Sequence, residues 1–333
     1  MQTGDLAKLL AIPKLPYYVN RVEAAIYGSL AQDGSELGKQ ALKAAKSGGK
    51  RLRPVLAIAA AAGKRKPSGD VIMAAAAVEL AHLGSIVHDD IMDKADTRRG
   101  APTVKSERGL NQAILIGDYL LAKASAQAAM VNGEMAYSLS TAITTMCAGQ
   151  SQELAGTYNL KRSIDDYFEV IRQKTAVLIS TTCRLGAVAS GKSQTKAEAL
   201  AKYGEAFGMS YQLLDDLLDF ISTPAALNKP VGNDLKGGIY TLPILLSLRG
   251  PSKAELREYL TKNSGARSQV NKIFMADGSF AKTLSEVKKY NKMAAAALKN
   301  LDSSAVNQGL VKLPEVYLDW ALQKISPSYA KLV

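Results

Sequence analysis

The 333 residues include 42 Lys and Arg against 30 Asp and Glu, a formal charge of +12, with 47% hydrophobic, 22% charged and 6% aromatic residues. That balance is typical of a folded globular chain with a large core, so disorder is not the expected reading. The basic residues are spread along the chain and aromatics are scarce, which argues against nucleic acid and leaves anionic small substrates or peripheral contact with an anionic membrane to account for the charge.

The first ten residues, MQTGDLAKLL, lack the basic-then-apolar layout of a signal peptide. The alanine-rich stretch from Val71 is interrupted by Glu79 and His82, so no run is expected to span a membrane. A cytoplasmic location is the expectation. Helical periodicity predicts long helices over about 17–33, 36–47, 69–94, 109–131, 135–157, 164–190 and 195–222, with shorter ones from about 240 to 324. Capping boxes mark three starts: Ser163 with Asp166, Thr195 with Glu198, and Ser252 with Glu255. No strand alternation of useful length appears. The Gly- and Pro-containing breaks at 47–54, 63–70, 223–238 and 250–251 are too short for a flexible linker, so one all-helical domain over 1–333 is expected. Cys147 and Cys183 lack metal-ligand spacing and are expected to be buried small side chains.

Two aspartate clusters carry the chemistry, Asp89-Asp90-Ile91-Met92-Asp93 and Asp215-Asp216-Leu217-Leu218-Asp219. In a helix, the first and last aspartates of each lie about 40° apart and the third completes an arc of about 100°. Three like charges on one face of an otherwise apolar helix repel, unless pKa values shift or cations arrive. Hard divalent cations resolve the conflict, and Mg2+ typically takes one or two carboxylates together with substrate phosphates. The flanks are basic: Gly48-Gly49-Lys50-Arg51-Leu52-Arg53-Pro54 before the first cluster and Arg98-Arg99-Gly100 after it, with Lys174-Thr175 and Lys229 further on. Arg clamps phosphate bidentately and Lys supplies a point charge. His82, seven residues before Asp89, and Gln212, just before Asp215 and Asp216, fall on the aspartate faces.

These motifs resemble the trans-isoprenyl (polyprenyl) diphosphate synthases. The resemblance runs from about residue 47 to 246 through GGKRLRP (48–54), ELAHLGSIVHDDIMDKADTRRGAPT (79–103), IGDYLLA (116–122), KTAVLIS (174–180), YQLLDDLLDF (211–220) and KPVGNDLKGGIYTLP (229–243). It implies a helical bundle around a central cavity and, usually, a dimer. It also implies an isopentenyl diphosphate site at Gly49, Lys50, Arg53, His82 and Arg99. An allylic diphosphate site would use Arg98, Lys174, Thr175, Gln212 and Lys229. Both aspartate clusters would hold the metal, with roughly three Mg2+ ions per active site stabilising the charge that develops on the leaving group. Three positions depart from the family pattern: Tyr211 where many members carry Phe, Ile239 where many carry a second lysine, and KLV in place of a basic C-terminal residue.

The first-cluster helix also bears a stripe of small residues, Ala74, Ala77, Ala81, Gly84 and Ser85. Gly inside a helix costs about 1 kcal/mol relative to Ala, so Gly84 implies a need for space: close helix packing or an open tunnel wall. In the family, the positions of Gly84 and Ser85 form a floor that stops chain growth when bulky. The stripe runs about 22 Å from Asp89 to Ala74, favouring a product longer than geranylgeranyl, about six or more isoprene units. Alternatives are a short-chain synthase, the catalytic subunit of a heteromeric synthase, a non-catalytic subunit and a class I terpene cyclase. The cyclase would not need Lys50, Arg53 and Arg99, and a non-catalytic subunit would be expected to lose aspartates or basic residues.

Overall fold

The computed structural model describes residues 1–32, 34–63, 66–98, 100–223, 231–261 and 267–325. In chain order the helices are α1 (Thr3–Leu9), α2 (Leu15–Ala31), α3 (Glu36–Lys46), α4 (Leu52–Ala61), α5 (Gly69–Met92), α6 (Val104–Arg108), α7 (Leu110–Ala129), α8 (Gly133–Ala155), α9 (Ile164–Ile171), α10 (Val177–Ala189) and α11 (Gln194–Ile221). After them come α12 (Asn233–Lys236), α13 (Leu242–Ser247), α14 (Lys253–Thr261), α15 (Arg267–Ala276), α16 (Ser279–Ala297) and α17 (Ala305–Ile325). The chain is all-α: among the described residues the only strands are the two-residue pair β1 (Thr97–Arg98) and β2 (Ala101–Pro102).

The long helices fall where periodicity places them, within a few residues at each end. The segment expected as one helix over 164–190 is α9 and α10 joined by a π turn at Arg172–Ala176. The Ser163/Asp166 capping box forms as expected. Thr195 instead lies inside α11, where the Lys196 amide bonds Ser193 Oγ, so Ser193 is the cap. Cys183 is buried, which pushes its thiol up to about 12. Cys147 is exposed, contrary to expectation.

The described chain divides into two compact units. The first comprises Met1–Thr144, Val177–Gly204 and Ala295–Leu313. Its centre is α5, against which α2, α4, α7 and α10 pack. Val71, Ile72, Leu80, Leu83 and the run Ala74–Ala77 are all buried, because α5 is apolar on nearly every face. Glu79 and His82 do not interrupt it enough to match expectation: the helix is long and apolar enough to cross a membrane by length and composition, and an 18-residue stretch of it has mean hydropathy 1.6. Here 72% of that stretch is buried inside the protein, as in a core helix.

Gly84 is accounted for at the crossing of α5 with α7. A Cβ there would lie 2.9 Å from Leu121 Cγ and 3.1 Å from the Gly117 carbonyl. Such contacts are tighter than side chains tolerate. The reading of Gly84 as open tunnel wall is therefore corrected to close helix packing: Leu121 fills the notch.

The second unit comprises Thr145–Ala176, Glu205–Ala294 and Pro314–Val333. Tyr167, Phe207, Phe220 and Phe274 are its largest fully buried side chains. Phe220 and Phe274 meet edge-on at 5.1 Å, an arrangement that suits the ring quadrupoles.

Candidate active site

In the first unit the aspartates sit at the C-terminal end of α5. Asp89 is half-buried, Asp90 is buried and Asp93 is the exposed cap residue. This end of a helix carries partial negative charge, so three carboxylates there are doubly disfavoured without cations. One cation is supplied by the chain: the β1–β2 pair turns Arg98 back so that its Nε donates to Asp90 Oδ1 at 2.6 Å. Arg99 lies outside the described residues. His82 is half-buried, and its carbonyl accepts from Ser85 Oγ at 2.9 Å. Ala81 is buried and Ser85 half-buried.

Of the GGKRLRP segment, expected as a break, only the first half is one. α4 begins at Leu52, which places Arg53 in the first helical turn, half-buried, with Lys50 exposed just before it. A helix N-terminus with free amides and two cations suits an anion. Gly49 is exposed, at φ +154.

In the second unit the aspartates lie inside α11. Asp216 and Asp219 are buried and Asp215 is half-buried. Asp216 is held by two donors: Tyr167 Oη reaches Oδ2 at 2.6 Å, and Gln212 Nε2 reaches Oδ1 at 2.6 Å. Thr175 Oγ1 donates to Gln212 Oε1 at 2.7 Å, so a chain of bonds links the π turn to the acid. Burial drives the Asp216 carboxyl up to about 7; the two donors oppose the shift, while Asp215 and Glu153 add to it. Burial and the Asp216 charge raise the Tyr167 hydroxyl well above its ordinary value, which keeps it a donor. On the same π turn, Lys174 Nζ meets Glu153 Oε2 at 2.5 Å, and Gln150 Nε2 reaches that oxygen at 3.3 Å. Tyr211 stacks on Tyr317 at 5.5 Å and hydrogen-bonds it, which gives its hydroxyl the partner that a buried tyrosine needs. Lys229 and the C-terminal KLV lie outside the described residues.

Tyr167, Glu153 and the inward role of Arg51 have no signal in the sequence. Tyr167 reads as one apolar residue of an amphipathic helix, and Glu153 as a helix-surface charge. Only the π turn, which has no sequence signature, brings Lys174 to Glu153.

Among the described residues no three Asp, Glu, His or Cys side chains converge on one ion position. The donors are all hard oxygens, supplied one turn apart on each helix. That is the set Mg2+ uses when phosphate and water complete its octahedron, so the residues fit the ion.

An all-helical chain with two aspartate-rich helices, the first with Arg98 bonded to Asp90, fits a prenyltransferase. The family model described as Polyprenyl synthetase matches residues 35–276, and the chain belongs to that family. Component 2 of the heptaprenyl diphosphate synthase of Bacillus subtilis (strain 168) is 33% identical over 325 residues, covering 97% of this chain and 86% of that protein. Heptaprenyl diphosphate synthase of Staphylococcus aureus superposes with TM-score 0.83 at 30% identity, covering 91% of this chain and 97% of that one. A polyprenyl synthase of Caulobacter crescentus, solved with calcium and isoprenyl diphosphate, superposes with TM-score 0.85 at 28% identity, covering 96% and 98%. The chain is thus similar over nearly its whole length to polyprenyl diphosphate synthases.

Proposed function

We propose that this synthase condenses isopentenyl diphosphate head to tail with an allylic diphosphate in a Mg2+-dependent reaction, giving a product longer than geranylgeranyl diphosphate. The observation that carries the reading is the buried Asp216, bonded by Tyr167 and Gln212 and with its carboxyl pushed up by burial, an arrangement suited to a cation. Asp89, Asp90 and Asp93 in the first unit, and Asp215, Asp216 and Asp219 in the second, would hold Mg2+, which when bound would supply positive charge to the departing diphosphate.

The chain's own residues bind and orient. Arg98, Lys174 and Lys229 hold the allylic diphosphate, with Thr175 and Gln212 fixing the acid beside it. Lys50, Arg53, Arg99 and His82 hold isopentenyl diphosphate, with the Gly49 backbone close by. The homoallylic double bond attacks the allylic cation, and the proton then lost passes to the departed diphosphate, so no protein base is required. The heptaprenyl names of two similar proteins support the longer product.

A homodimer is the second part of the proposal. Leu110, Ile114 and Leu115 on α7 and Tyr137 on α8, all in the first unit, are exposed by 51%, 41%, 50% and 75%. Side chains of that size exposed on neighbouring helices suit a second copy. The name of the B. subtilis relative, component 2, supports an alternative in which a different chain covers this face. Light scattering on the purified chain separates the two: a mass of two copies supports the homodimer, and a monomer supports the other chain. A cytoplasmic location with at most peripheral membrane contact completes the proposal; a chain that stays at the bottom of a liposome flotation gradient would remove the membrane half.

The test of function is product analysis of the purified chain with labelled isopentenyl diphosphate, farnesyl diphosphate and Mg2+. A ladder ending beyond geranylgeranyl supports the whole reading. A ladder ending at farnesyl or geranylgeranyl keeps the chemistry and refutes the length. No elongation by a chain that also fails with added Mg2+ refutes independent catalysis.

A further inference from the structure

Arg51 sits between the two residues assigned to isopentenyl diphosphate, Lys50 and Arg53, and its side chain points into the protein. It is buried to 6% exposure. Its Nε donates to Glu23 Oε1 at 2.8 Å, its Nη1 to Glu79 Oε1 at 3.0 Å, and its Nη2 to the Ala45 carbonyl at 2.8 Å. One guanidinium therefore ties together α2, α3 and α5. Its main chain also starts the next helix, since the Arg51 carbonyl accepts from the Val55 amide at 3.1 Å, the first bond of α4.

The backbone around it is unusual. Gly48, Gly49 and Arg51 have φ of +91, +154 and +47. Glycine adopts such angles freely; arginine does not, and a side chain held in the left-handed region persists only where surrounding bonds over-determine it. Here the guanidinium's bonds to Glu23, Glu79, the Ala45 carbonyl and, at 3.5 Å, the Tyr27 hydroxyl do so. Burial alone would lower the arginine's pKa, but Glu79 and Glu23 outweigh it and hold the charge on more firmly than usual.

The placement of Glu79 gives this anchor a consequence. It lies three residues before His82 on α5, on the same face of the helix. A bond from Arg51 to Glu79 thus fixes the loop bearing Lys50, and the first turn bearing Arg53, against the turn of α5 that bears His82. The geometry points to Arg51 as a positioning residue for the isopentenyl diphosphate site, acting through Glu79 to set Lys50 and Arg53 in register with His82. The inference rests on the reading that these three residues hold that substrate.

Lysine cannot reproduce it, because an ammonium lacks the planar fork that reaches two carboxylates and a carbonyl together. Steady-state kinetics of the full chain with Mg2+, isopentenyl diphosphate and farnesyl diphosphate provide the test. Arg51→Lys is expected to raise the KM for isopentenyl diphosphate roughly ten- to hundredfold, as supporting residues of a charged site commonly do, while leaving the KM for farnesyl diphosphate within about twofold. Arg51→Met leaves Glu79 buried and unpaired and is expected to fold poorly. Arg51→Met/Glu79→Met removes both charges and restores the melting temperature, yet keeps the selective rise. Glu23→Gln, which alters a partly exposed partner, gives a smaller rise in the same constant. Arg53→Ala serves as control. If it leaves the isopentenyl diphosphate KM unchanged, the underlying site reading falls and this inference with it. If Arg53→Ala raises that KM but the folded double variant has wild-type constants, or if both substrates' constants worsen in step with melting temperature, Arg51 is structural only and the inference alone is overturned.

Discussion

Tyr167 Oη donates to Asp216 Oδ2 across 2.6 Å, from the short helix α9 to the aspartate-rich α11. Both groups are buried, so neither can exchange this partner for water. The bond fixes which way one carboxylate oxygen faces. Tyr167→Phe keeps the ring and deletes only the donor. Hydrogen bonds to charged groups contribute about 1.5–3 kcal/mol, and orienting partners of metal ligands commonly matter ten- to hundredfold. The expected outcome is a fold unchanged by circular dichroism and a rise of roughly tenfold in the Mg2+ concentration needed for half-maximal rate. An unaltered Mg2+ dependence would show that Tyr167 serves the fold alone.

The Asp216 carboxyl, raised by burial to about 7 from an ordinary 3.8, gives the metal-free protein a pH dependence. Between those values the unfolded chain has lost the proton and the folded chain retains it. The raised pKa therefore contributes stability that is complete below about pH 4 and is lost as pH rises through about 7. With chelator present, this group's contribution to the melting temperature should fall across that window. Asp216→Asn should flatten the slope. Added Mg2+ should flatten it too and release protons between about pH 5 and 7, a release that calorimetry in buffers of different ionisation enthalpy would detect. An identical slope in wild type and Asp216→Asn would dissociate the carboxyl from the effect.

Lys174 and Glu153 form the other pairing that the π turn creates. Lys174 is assigned to the allylic diphosphate, so Glu153 holds a cation that the substrate also claims. In Glu153→Gln the lysine loses its anchor. The expected result is a rise of about tenfold in the KM for farnesyl diphosphate, with that for isopentenyl diphosphate unmoved, since supporting residues typically act on the group they orient. Equal changes in both constants would assign Glu153 a structural role.

These residues show what the sequence can and cannot convey. Long helices announce themselves by period, and α5 and α11 are legible to within two residues because their apolar positions recur over many turns. The aspartate triplets are legible because repeated like charge on an apolar helix is costly and needs a cause. Tyr167, Glu153 and Arg51 are not, because each acts through a partner distant in sequence. Arg51 shows the difficulty best. In GGKRLRP it reads as one more phosphate-binding cation, and only its left-handed backbone and its bonds to Glu23 and Glu79 turn it inward. Gly84 misleads for a related reason: glycine signals that space is needed, but not what fills it.

Leu121 in the Gly84 notch changes how product length should be probed. Bulk at Gly84 would meet Leu121 and the Gly117 carbonyl before reaching any growing chain. Gly84→Ala is expected to cost stability by about 1–3 kcal/mol, the usual penalty of overpacking, and to leave the product distribution unchanged. Ser85 is different. It is half-buried, and its hydroxyl donates to the His82 carbonyl of its own helix, so a larger side chain there does not have to displace α7 at this crossing. Ser85→Phe should therefore shorten the product, moving the ladder's end towards farnesyl or geranylgeranyl, with kcat for the first condensation retained. Chromatography of the dephosphorylated products reads both variants at once. If Ser85→Phe makes the same long product as wild type, the floor of the product site is not built by this turn of α5. If Gly84→Ala alone shortens the chain, Leu121 moves when the notch is filled, and the small residues of α5 influence length through α7.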